Sequence, residues 1–144
     1  MALEIYNNFK RGLLAGDYGL GGASPPATLA LAASGYTPNV DTHLDFADVT
    51  NEHSGAGYSS PGTEIAGDAV TQDNTDDEGV FDGNDTVYTA LEGAAVAGHV
   101  AHMNTGTAGT SLLIFYDDSG GYPITPNATD FTVTWAAEGI VNAS

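Results

Sequence analysis

A chain of 144 residues that is 42% hydrophobic is long enough to bury one core, and it sets 19 acids against two bases, Lys10 and Arg11, for a formal charge of −17. That balance argues against nucleic-acid binding, which needs cations to displace the counterions of phosphate, and against anionic membranes. No apolar run approaches the ~20 residues of a bilayer span, and the absence of cysteine removes disulfides and thiolate metal sites.

Only 15% of the residues are charged, so the acid excess owes as much to missing Lys and Arg as to added Asp. Self-repulsion of this size is tolerable where salt screens it, which points to a halophilic source. The opening MALEIYNNFKRG places an acid before its basic pair and lacks the long apolar core of a secretory signal.

In chain order, residues 3–14 read as an amphipathic helix. Ile5, Phe9 and Leu13 recur at four-residue steps, Tyr6 borders the stripe, and Gly16 is the expected stop. Residues 19–26 are Gly-Ser-Pro loop. Thereafter only strand-like pieces follow. Residues 27–34 alternate, with Leu29 and Leu31 on one face, and 35–43 is turn chemistry. Residues 45–51 suggest a short strand or edge, 53–62 a loop, and 63–72 a strand with a bulge at Gly67. Residues 79–91 show two apolar runs parted by the turn signal Asp82-Gly83-Asn84-Asp85. The strongest strands are 94–103, 111–118 and 130–141; in the last, Phe131, Val133 and Trp135 share a face. The expectation is a single, mainly all-β domain: a helix or arm over 1–18, then an antiparallel β-sandwich or jelly-roll-like body over 19–144.

The stretch DNTDDEGVFDGND, residues 73–85, holds six acids. An EF-hand frame on Asp73 puts Glu78 where the invariant glycine belongs and Asn84 where the bidentate Glu belongs, so that reading fails. An irregular site of Asp73, Asp76, Asp77, Asp82 and Asp85 for adventitious Mg2+, Ca2+ or Na+ is the remaining cation reading. The plainer one places these carboxylates in turns flanking the Val80-Phe81 strand, keeping its edge wet and unaggregated. His99 and His102 point to opposite faces of a strand and make no zinc pair. Asp117-Asp118, followed by Ser119-Gly120-Gly121, reads as a turn cap rather than a catalytic dyad. No GxSxG elbow or phosphate loop is present.

Several blocks in order resemble a family of small head proteins of tailed phages. They are Tyr6-Asn7-Asn8-Phe9 with Leu13-Leu14-Ala15-Gly16, and Tyr36-Thr37-Pro38-Asn39-Val40-Asp41-Thr42-His43. Next come Ser54-Gly55-Ala56-Gly57-Tyr58 and Phe81-Asp82-Gly83-Asn84-Asp85. The last are Tyr116-Asp117-Asp118, and Phe131-Thr132-Val133-Thr134-Trp135 leading to Gly139-Ile140. The resemblance implies a non-enzymatic virion component: a capsid decoration, or cement, protein on the outer surface of an HK97-like major capsid shell, without cofactor. It leaves a dimer or a trimer open, since such proteins occupy symmetry axes. The chain departs from the pattern in its Gly-Pro-rich insert at 19–26 and its near-absence of Lys and Arg. The charge turns the expectation toward an archaeal tailed virus of a halophilic host. Packed DNA would repel a −17 chain, so the outer wall suits it better than the inner one. Tyr6, Phe9, Lys10 and Arg11 form the expected partner contact. The alternatives are a tail or receptor-contacting component, a halophilic extracellular binding module and, more weakly, a hydrolase using Asp117 or a histidine.

Overall fold

The computed structural model describes residues 3–22 and 24–144, so Met1 and Ala2 of the expected arm and Ala23 of the expected loop lie outside it. Among the described residues the polypeptide is mainly β and sandwich-like, with antiparallel pairing throughout and one α-helix near the N-terminus.

The helix is shorter at its start than the four-residue stripe suggests. Glu4–Ile5 form strand β1, and α1 spans Asn7–Ala15. Ile5 therefore pairs with Phe115 instead of joining the helical stripe. Tyr6 is the N-cap, in extended conformation, which turns the chain from strand to helix within one residue. Gly16 ends the helix at φ 74°, a left-handed cap that glycine adopts without strain. The Gly16 and Asp17 amides reach back to the Leu13 and Gly12 carbonyls at 3.2 and 2.9 Å. Gly12, an awkward residue for a helix interior, is required by packing: a Cβ there would lie 1.7 Å from the Tyr18 ring, which stacks on Phe9.

The main sheet is built around β2 (Ala27–Ala33) and β7 (Val96–Met103), flanked by β8 (Leu113–Asp117), β1 and β3 (Thr63–Glu64), in the order β1-β8-β7-β2-β3. Both faces of this sheet are covered. Leu29 and Leu31 enter the larger core cluster with Phe9, Ile65, Phe81, Tyr88 and Phe115. Ala30 and Ala32 face the second cluster, where Tyr6, Tyr36, Phe46, Val49 and Tyr116 close in. Alternating Leu and Ala thus matches a thick layer on one side and a close-packed loop on the other. The pairing of β7 with β8 slips between Ala101 and His102, so Ala101 faces Phe115 but His102 faces Leu113. That bulge breaks the alternation and sends Leu113 and Phe115 into different clusters.

The second layer comprises two smaller pieces. One is β4 (Ala69–Asp73), β5 (Glu78–Asp82) and β10 (Val141–Ala143), ordered β10-β5-β4; the other is the ribbon of β6 (Thr86–Leu91) with β9 (Thr129–Val133). The Tyr88 hydroxyl latches the ribbon to the main sheet by donating to the Leu29 carbonyl at 2.6 Å.

Several expectations change here. Residues 45–51 contain a 3-10 turn, Phe46–Asp48, not a strand: Asp45 and Asp48 cap it reciprocally, and local side-chain bonding outcompetes pairing. Gly67, at φ 66°, is no bulge in one strand but the break between β3 and β4, which lie in different sheets. Likewise Asp82-Gly83-Asn84-Asp85 is a corner between sheets, because β5 pairs with β4 and β10 while β6 pairs with β9. The 130–141 strand divides into β9 and β10, although Val133 is buried and Phe131 and Trp135 pack on the same cluster as expected.

Candidate docking surface and the His99 cleft

The acidic stretch folds as the β4–β5 hairpin. Asp73 accepts from the Thr75 and Asp76 amides at 2.7 and 3.4 Å, which holds its carboxyl below its usual range, and Asp77 closes the turn at φ 57°. The turn placement of these acids is as expected; the edge is not. β5 is the middle strand of its sheet, and the exposed margins belong to β4 and β10. Asp73, Asp76 and Asp77 sit at the hairpin tip, Asp82 at the far end of β5, and Asp85 at the corner, where it accepts from the Trp135 amide at 3.1 Å. Among the described residues no three His, Cys, Asp or Glu side chains converge as a metal-holding group.

The four residues expected to contact a partner divide into two pairs. Tyr6 and Phe9 are wholly buried. The Tyr6 hydroxyl bonds that of Tyr36 at 2.7 Å, and burial, followed by that bond, pushes its pKa well up. Both serve the fold. Lys10 and Arg11 are exposed; Lys10 reaches Asn7 Oδ1 at 3.4 Å, and Arg11 pairs with Asp17 at 3.0 Å. A surface ion pair of this kind contributes roughly 0–1 kcal/mol.

A different feature of the same region is apolar. Leu13, Leu20, Val70, Val80 and Val141 wall a groove of about 380 Å3 floored by Phe81. Val70 is 56% exposed, and Leu14, one turn beyond Lys10, is 92% exposed. Next to it, sharing Gly79 and Ala143, lies a hollow lined by Asp73, Asp77 and Glu78. The groove was not legible beforehand, because its walls come from the helix end, a loop, a hairpin and the last strand.

The second cleft, about 280 Å3, is lined by His99, Asp117, Tyr122, Phe131, Thr132 and Thr134, among others. Strand β7 aims His99 here and His102 to the opposite face, as the strand spacing requires: His99 meets Phe115 and Trp135, while His102 stacks on Phe46 and bonds the Pro61 carbonyl. His99 Nδ1 and the Tyr122 hydroxyl are 2.8 Å apart. His99 Nε2 is buried without a hydrogen-bond partner, 3.9 Å from Asp117 Oδ2. The other Asp117 oxygen caps the turn by accepting from the Ser119 amide at 2.8 Å, as the sequence suggested. Burial pulls the His99 pKa down against the opposing pull of Asp117, and burial likewise raises that of Tyr122.

No family model and no curated protein matches this sequence.

The cleft brings together one buried donor or acceptor, one carboxylate, hydroxyls and aromatic walls.

Proposed function

We propose that this is a structural virion protein that decorates and stabilises the outer capsid surface of a halophilic tailed virus, acting by docking and not by turnover. The observation that carries the reading is the apolar groove of Leu13, Leu20 and Val70 beside the acidic hollow of Asp73, Asp77 and Glu78. Its occupant is an aliphatic side chain of the major capsid protein flanked by Lys or Arg. The groove supplies apolar burial at ~25 cal/mol per Å2, and the acids supply the charge complement that selects a basic flank. A second copy is a poorer occupant, since two chains of −17 repel each other. On a repeated lattice even a weak contact of this kind gains from multivalency. The blocks resembling tailed-phage head proteins supply the particle context, and the coat of carboxylates suits a solvent-facing position in salt.

The test is occupancy on purified particles. Val70→Asp puts a charge into the groove at a half-exposed position, so the fold is kept and occupancy falls at least tenfold. The Lys10→Glu/Arg11→Glu pair measures the helix as a second anchor. Full occupancy with Val70→Asp would discard the groove as the docking face, and absence of the native protein from particles would discard the virion reading.

A further inference from the structure

We propose that the cleft at His99 and Asp117 binds a hydroxyl group of a neutral saccharide, a role separate from the docking groove. The recognition chemistry follows from two atoms. With the Asp117 carboxylate facing Nε2, the proton of the neutral ring belongs on Nε2, and the Tyr122 hydroxyl donates to Nδ1. Nε2–H is then a buried donor with no acceptor within hydrogen-bond reach, and Asp117 Oδ2 is an acceptor 3.9 Å away. Such an orphaned donor is costly to leave unmade. At that separation one oxygen can lie about 2.8 Å from each, accepting from the ring and donating to the carboxylate. A hydroxyl does both. An ammonium has no lone pair for Nε2–H, and a carboxylate has no proton for Asp117.

The surroundings extend the match. Tyr122 and Phe131 add aromatic residues to the lining, which suit the carbon face of a sugar, and Thr132 and Thr134 line it as well. The volume, about 280 Å3, suits a single ring rather than a polymer. The charge of −17 disfavours anionic sugars. Nε2 has almost no accessible surface. Among the described residues Asp117 accepts from the Ser119 amide through its other oxygen, which leaves Oδ2 to face Nε2, and entry of a hydroxyl requires that pair to part.

The full-length protein, in molar salt, is titrated with glucose, galactose, mannose and N-acetylglucosamine. Saturation-transfer NMR reads contact, and the fluorescence of Trp135, the sole tryptophan, whose ring lies 5.6 Å from that of His99, reads the cleft. The expected result is saturable binding of at least one sugar, weakened at least tenfold by Asp117→Ala. Thr132→Glu, at an exposed lining position, brings a negative charge and added bulk to the cleft and gives the same loss should Asp117→Ala fold poorly. No saturable response to any of the four sugars, or binding undiminished in Thr132→Glu, overturns the assignment; water alone then fills the position.

Discussion

Acidification tests the buried state of His99. His99 is 3% exposed, and desolvation, outweighing the attraction of Asp117, lowers its pKa from 6.5 to about 4. The folded protein therefore refuses a proton that the unfolded chain accepts. Between those two values the unfolded state binds more protons, so stability is full above pH ~6.5 and falls as pH drops toward 4. From pH 7 to pH 5 the loss from this one ring is about 2 kcal/mol, or about 7 °C in melting temperature for a domain of this size. Relief of the carboxylate repulsion acts in the other direction, so the measurement is a difference. Thermal melts of the native protein and of His99→Gln are compared across pH 7 to 5 at constant salt. The titrating groups remote from His99, including the buried His102 with its own lowered pKa, are common to both proteins and cancel, so the difference reads the His99–Asp117 pair. The expected result is a native curve that descends relative to the variant by that amount. Parallel curves would refute the claim that His99 folds as a neutral, desolvated ring.

Two further substitutions probe the fold itself. At Gly62, φ is +110° and a Cβ would lie 2.0 Å from the Leu29 carbonyl oxygen, so Gly62→Ala should cost about 3 kcal/mol or more in a denaturant titration. A cost near zero would mean that the loop does not lie against β2 as described. Asp45→Ala removes the cap that orders the Phe46 turn, and about 1 kcal/mol should disappear from the unfolding free energy; an unchanged midpoint would show that the turn is held by Phe46 stacking on His102 alone.

The β content, the helix stop at Gly16, the opposite aims of His99 and His102, and the turn cap at Asp117 were readable from the chain, because each depends on neighbours a few residues away. Side-chain period and turn chemistry act at that range. Ile5 misled for the same reason: its four-residue spacing to Phe9 is real, but pairing with Phe115, far along the chain, outweighed it. The two clefts escaped any local signal. Leu13, Val70 and Val141 carry no mark of a shared groove, and nothing near His99 announces Tyr122 or Trp135.

Composition and local pattern alone determined that this molecule is an acidic, mainly β chain, since those properties are sums over residues or over short windows. Which strands share a sheet, which of Tyr6, Phe9, Lys10 and Arg11 stay on the surface, and which acids adjoin apolar surface were decided only by tertiary packing. The free energy of those choices comes from contacts between distant segments, whose partners are not encoded within any one segment.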